Sequence, residues 1–313
     1  MKLITWNVQW CRGLDGRVDP LRIVREARRI ADFDILCLQE VAANFPELPG
    51  SAGENQFAVL AEALPGFEAV PGAAVDVRGA DGSRRAFGNM ILSRYPVLAV
   101  RRMQLPSPPD AGRPSMPRML IEARIDTPLG AVRVMTTHLE YYSAHQRSAQ
   151  VEAIRAWHAE ACAWAEVDAP AGGKDQGPFR HVPQTRTAIL TADFNFGPDD
   201  PLYERLQADN GTASRLRDAW AHAHISDRLS SGSDIDGLWP EAFQIRAYAP
   251  LVVPEHFQTA EFTRALDAAE RPLEPHYVVA DRPHSRRLMA TCSGPPYHCP
   301  VVDDTAPHRV ART

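Results

Sequence analysis

Hydrophobic and polar positions alternate from Lys2 to Asn7, with Leu3 and Thr5 on one side and Ile4 and Trp6 on the other. That period of two predicts a strand ending at Asn7. Asp19-Pro20 then forms an N-cap with proline at the first helical position. Leu21, Val24, Ala27 and Ile30-Ala31 repeat at the spacing of a helix packed on one face. Asp34-Ile35-Leu36-Cys37-Leu38 is a short continuous apolar run, as expected for a strand covered on both faces, and it ends in Gln39-Glu40. A strand, helix, strand unit thus delivers Asn7 and Glu40 at two strand ends. If the strands are parallel, these ends are neighbours at the carboxyl edge of a sheet, where α/β proteins place ligands.

The same reading continues along the chain. A helix is expected over residues 56–64, stopped by Pro65-Gly66. Gly88 to Ser93 reads as a strand, Tyr95-Pro96-Val97 as the turn into the next, and 105–117 as a proline-bearing loop. Arg118 to Ile125 and Ala131 to Thr137 read as hairpin strands across Thr127-Pro128-Leu129-Gly130, the second running into His138. Ser143-Ala144-His145-Gln146 has the form of a capping box and opens a helix to about residue 166. Residues 167–187 are a loop, and Ile189 to Asp193 is a buried strand entering a polar turn. Alternation would put Asp193 and Asn195 on one side, and Gly197-Pro198-Asp199-Asp200-Pro201 stops the strand. Leu216 to Ala223 reads as a short helix or turn. No clear period follows until about residue 270, after which Tyr277 to Ala280 and Cys299 to Val302 read as strands. There are no internal repeats. One α/β domain over residues 1–313 is expected, with sheets packed on each other, helices outside, and an irregular part over 223–313.

Composition narrows the class. The 313 residues are 44% hydrophobic and 23% charged, as in a globular protein able to bury a large core. A net charge of −5 gives no global electrostatic case for nucleic acid. Cys11, Cys37, Cys162, Cys292 and Cys299 are odd in number with no C-x-x-C pair, which argues against a disulfide framework and a zinc site. The strand-like start lacks a leader pattern, and no apolar run is long enough to span a bilayer. A cytoplasmic monomer is the expectation.

Four strand ends carry Asn7, Glu40, His138 and the Asp193/Asn195 pair. Each alone is ordinary: a solvated strand-end acid, a hydrogen-bonded histidine, an Asx-rich turn. Together they suit a phosphoester. A hard cation such as Mg²⁺ takes few carboxylates, and histidine and amides stabilise charge on phosphoryl oxygens.

Trp6-Asn7-Val8-Gln9, Leu38-Gln39-Glu40-Val41, Gly88-Asn89-Met90-Ile91-Leu92-Ser93-Arg94, Thr136-Thr137-His138-Leu139 and Thr191-Ala192-Asp193-Phe194-Asn195 resemble the ordered motifs of the endonuclease/exonuclease/phosphatase superfamily, with its deoxyribonuclease I-like nucleases. The resemblance covers residues 1 to about 222. It implies a four-layer α/β sandwich, two packed mixed β-sheets flanked by helices, and Mg²⁺-dependent phosphoester hydrolysis, with Mn²⁺ as an alternative metal. By position it makes Glu40 the main metal ligand with Asn7 beside it. His138 contacts the scissile phosphate or assists the leaving group. Asp193 orients or deprotonates the attacking water, and Asn195 holds the phosphate or the catalytic histidine. Arg118 is a candidate phosphate contact. Glu140-Tyr141-Tyr142-Ser143, with Gln146-Arg147, would lie beside the site, where Tyr141 and Tyr142 would shape a substrate pocket; paired tyrosines are otherwise expected as half-buried packing.

The C-terminal pattern departs from the family. His298 falls in the place of the catalytic histidine, but Tyr297 precedes it where an aspartate belongs, and His276 stands where another aspartate is expected. Asp281, Asp303 or Asp304 would have to serve instead, or the C-terminal third has diverged, or its reading frame is not the ancestral one. The expected activity is a nuclease-like phosphodiesterase, nucleic acid ahead of a lipid head group. The alternatives are a lipid or inositol phosphate phosphoesterase and a catalytically weak member acting as a binding protein.

Overall fold

The computed structural model describes residues 1–167, 177–209 and 215–219, and the backbone of 244–247 and 278–281. Strand β1 (Leu3–Asn7) runs parallel to β2 (Ile35–Ala43), in register from Leu3 opposite Ile35 to Asn7 opposite Gln39. Between them lies α1 (Pro20–Ile30), whose N-cap Asp19 accepts the Arg22 amide at 3.0 Å. Its packed face is Ile23, Val24 and Ala27, so the expected seam is displaced: Leu21 is turned out and half exposed. Helix α2 (Gln56–Glu62) covers the same side of the sheet through Leu60.

Two antiparallel strands complete the first sheet, β3 (Glu68–Arg78) and β4 (Arg84–Ser93), in the order β1-β2-β4-β3. The sequence reading missed β3. Pro71 and Gly72 interrupt it, and the structure explains both. Proline is tolerated because β3 is an edge strand. A side chain on Gly72 would collide with Ile121 of the second sheet.

The second sheet has the order β5-β6-β7-β8, from β5 (Val97–Gln104), β6 (Met119–Thr127), β7 (Gly130–His138) and β8 (Ala188–Asp193). β6 and β7 form the expected hairpin, closing at Thr127 opposite Gly130. β7 and β8 are parallel, in register to His138 opposite Asp193. The crossover is α3 (Ala144–Trp164), capped by Ser143, whose hydroxyl accepts the Gln146 amide at 3.1 Å. The return half of the capping box is not made. The Gln146 side chain instead bonds Pro108 O and Ser115, tying the 105–117 loop to the helix.

Helix α4 (Pro201–Gln207), absent from the sequence reading, packs Leu206 beneath α3. Buried Arg155 donates to the carbonyls of Arg205, Ala208 and Asp209 and so closes its C-terminal end. A last antiparallel pair joins β9 (Gln244–Ala247) to β10 (Val278–Asp281). The first was unforeseen; the second matches the strand expected at 277–280. The strand expected at 299–302 lies outside the described residues.

Strand alternation builds the layers. Leu36, Leu38, Met90 and Leu92 face α1 and α2. Ile35, Cys37 and Ile91 face the other way, onto Ile121, Val132 and Val134 of the second sheet. Leu120, Met135 and Leu139 lie under α3 and α4. Helix, sheet, sheet and helix make a four-layer α/β sandwich. No helix among the described residues is long and apolar enough to cross a membrane.

Candidate functional site

The face shared by the two sheets becomes polar toward the carboxyl ends of β1, β2, β7 and β8. One tier below the rim, the Gln39 amide donates to Thr5 Oγ1 at 3.1 Å and Thr136 Oγ1 at 2.8 Å, linking the sheets. Asn7 continues the face of Leu3 and Thr5. His138 continues that of Val134 and Thr136, and Asp193 that of Ile189 and Thr191. These three reach the cleft by strand alternation alone.

Glu40 does not. Strict alternation would send it with Leu36 and Leu38 into the core under α1. The pairing of β2 with β4 shifts between Leu38 and Val41, and Glu40 has φ 61°. A bulge with a left-handed residue re-aims the side chain.

At the rim, Asn7 Nδ2 donates to Glu40 Oε1 at 2.8 Å and Asp193 Oδ2 at 2.9 Å. Its Oδ1 accepts the Gln9 amide at 3.0 Å. In this arrangement Asn7 therefore holds the two carboxylates together and turns its oxygen away from them. His138 lies between the same acids, Nδ1 3.7 Å from Glu40 Oε1 and Nε2 3.8 Å from Asp193 Oδ2, both too long for hydrogen bonds. Burial lowers the His138 pKa to about 4, against the pull of Asp193, so the imidazole is neutral near pH 7. Burial raises Glu40 to about 7; the Asn7 hydrogen bond lowers it, and the nearby Asp193 charge adds to the rise.

Arg118, just before β6, is buried. Its Nε donates to Glu140 Oε2 at 3.2 Å, while its buried Nη1 has no hydrogen-bond partner. Glu40, Asn89, Arg118 and His138 line a small pocket together with Phe87, Met116 and Pro117. A neutral imidazole, a guanidinium with an unused donor and two adjacent acids form a site for an anionic oxygen beside a cation.

Glu40, His138 and Asp193 offer ligand atoms all within 4.8 Å of one another. Two carboxylates sharing one amide donor, one of them pushed up in pKa, suit a divalent cation. The donor set fits a hard metal held through oxygen, with His138 close enough to join a softer one.

β8 ends at Asp193, and Asn195 turns the chain with φ 53°. Its Nδ2 donates to Leu139 O at 2.8 Å and its backbone amide to Asp193 Oδ1 at 3.2 Å, so it braces the backbone next to His138 and holds the Asp193 carboxylate. Two further residues belong here: Asn89, which had no role in the sequence reading, and Glu140, which that reading placed beside the site. Asn89 ties β4 to β6 through Met119 O at 2.9 Å, and its signal was a lone amide in an apolar run. Glu140 holds Arg118, and its signal was an acid two residues after His138. His298, His276 and Tyr297 lie outside the described residues.

Residues 4–251 match the model described as the Endonuclease/Exonuclease/phosphatase family. No curated protein matches the chain. An endonuclease/exonuclease/phosphatase structure from Beutenbergia cavernae DSM 12333 is 26% identical, with TM-score 0.44, over 64% of this chain and 48% of that one. The chain thus spans about half the length of that protein. A mannosyl-6-phosphatase from Bacteroides thetaiotaomicron VPI-5482 is 18% identical, with TM-score 0.43, over 65% and 68% of the two chains. D. rerio TDP2, complexed with a single strand DNA product, is 16% identical, with TM-score 0.44, over 75% and 78%.

Proposed function

The chain belongs to the endonuclease/exonuclease/phosphatase family, and from that premise we propose that it is a Mg²⁺-dependent phosphodiesterase with Glu40 as its principal metal ligand. Members of the family are in general hydrolytic phosphoesterases that use divalent metals. The observation that carries the reading is the convergence of Glu40, His138 and Asp193 around Asn7, with Arg118, whose Nη1 is unpartnered, lining the same pocket as Glu40 and His138.

A divalent cation at this site supplies charge neutralisation on the phosphoryl group. The protein's own groups do the rest. Arg118 Nη1 donates to a non-bridging phosphoryl oxygen. Neutral His138 donates a hydrogen bond from one ring nitrogen to another oxygen as negative charge grows. Asp193 Oδ2 orients a water for in-line attack and takes its proton. Asn7 fixes the spacing of the two acids, and Asn195 fixes the strand end that carries His138. His298 enters from the sequence as the group that balances the phosphate. Tyr297 before it supports the alternative of a slow or binding-only member.

The test is hydrolysis of a simple phosphodiester by purified protein with Mg²⁺, with Mn²⁺ and with EDTA, beside Glu40→Ala. Activity should need the metal and fall by at least about 10³-fold in the variant. A variant that keeps the wild-type rate would remove Glu40 from the reaction.

A further inference from the structure

Tyr141 and Tyr142 are 52% and 54% exposed, although they follow directly on the buried end of β7. Their rings pack edge to face with centroids 5.0 Å apart. Their backbone is firmly held. The Tyr142 amide donates to Glu140 Oε1 at 2.9 Å, and Arg147 Nη1 donates to the carbonyls of Glu140 at 2.7 Å and Tyr141 at 3.0 Å. The other Glu140 oxygen accepts Arg118 Nε. One buried carboxylate therefore fixes both the arginine of the pocket and the exposed ring pair. About half of each ring is left in water on a backbone tied to the arginine of the pocket.

We propose that Tyr141 and Tyr142 form a stacking platform for an unpaired nucleobase of a substrate whose phosphate lies at Arg118. This rests on the phosphodiesterase reading and names its substrate class as single-stranded nucleic acid. Stacking on tyrosine suits any base and needs no basic surface, in keeping with a net charge of −5 that disfavours broad backbone binding. A lipid surface fits less well. Trp164 and Val167, the exposed apolar residues at the far end of α3, lie about 30 Å along the helix from the tyrosines, so the two ends share no continuous patch. Both tyrosines also carry a hydroxyl, which suits a wet planar contact.

The test compares binding, in EDTA, of a short single-stranded oligothymidylate and an abasic strand with the same number of phosphates, by fluorescence anisotropy. Wild type should bind the base-bearing strand about tenfold more tightly or better. Tyr141→Ala/Tyr142→Ala should bind both strands alike, while Tyr141→Phe/Tyr142→Phe, which keeps the rings, should restore the difference. Equal binding of the two strands by wild type, no binding of either, or a preference that survives the double alanine variant would overturn the platform. So would binding to phosphatidylcholine–sphingomyelin vesicles that is lost in the alanine variant while the strand preference stays. Simple phosphodiester hydrolysis separates the two readings. Turnover without base preference removes the platform alone, and base preference without turnover removes the hydrolase reading alone.

Discussion

Charge is buried under α3 and at the cleft between the two sheets, and the two places are built differently. Under α3, Glu122 Oε2 accepts Arg133 Nε at 3.1 Å and Trp157 Nε1 at 3.0 Å, and Arg133 Nη2 meets His158 Nδ1 at 3.2 Å. Acid and base are matched there, and the two leftover atoms, Glu122 Oε1 and Arg133 Nη1, belong to opposite charges. At the cleft, Glu40 and Asp193 share an amide, and the nearest guanidinium bonds to Glu140, a different acid. A matched buried pair serves folding. Two unmatched acids are held in place by the fold at a cost, and a cation at the site removes that cost.

The comparison breaks most visibly in stability. Glu122→Ala leaves Arg133 buried without its counter-charge and should cost about 3–5 kcal/mol, read by urea denaturation. Replacing both, as Glu122→Leu/Arg133→Met, should recover most of that loss. In the cleft the sign reverses, and Glu40→Gln should stabilise the metal-free protein. Destabilisation there would mean that the acids are already balanced.

A smaller effect concerns the anion side of the cleft. Arg118→Lys keeps a charge but loses the planar fork that reaches Glu140 and the pocket together. It should lower kcat/KM for a phosphodiester by about 10²-fold. An unchanged value would make Arg118 purely structural.

The smallest effect is in pH dependence. Glu40 has a folded pKa of about 7 against 4.5 for an ordinary glutamate. Between these values the folded protein binds more protons than the unfolded one, so this group's contribution to stability falls as pH rises. His138 shifts the opposite way and works in the opposite sense. The difference between Glu40→Gln and wild type without metal therefore reports Glu40 together with the change its loss makes at His138, 3.7 Å away. That difference should grow from pH 4.5 to about 7 and then level off. A difference independent of pH would place the Glu40 pKa near its ordinary value.

Much of this site is legible in the sequence because Asn7, His138 and Asp193 are the last inward residues of strands with a period of two. Glu40 appears as a strand end, but its direction does not, since a bulge leaves no composition signal at Gln39-Glu40. Asn195 lies past the end of the strand in a left-handed turn, so alternation alone does not show that its amide would brace Leu139 O. Leu21 was misplaced because a spacing of three or four fits two neighbouring helix faces, and the burial of Ile23 decides between them. β3 was hidden by Pro71 and Gly72, which its edge position and the close second sheet allow. α4 could have been found: Asp200-Pro201 repeats the cap of Asp19-Pro20, and Asp200 accepts the Leu202 amide at 2.8 Å.

The most direct measurement is the melting temperature of wild type and Glu40→Gln as Mg²⁺ increases. Wild type should gain stability with concentration, by about 2.7 kcal/mol at one hundred times the dissociation constant, while Glu40→Gln starts higher without metal and gains little. Equal gains in the two proteins, or none in wild type, would contradict a cation held by Glu40 at this cleft.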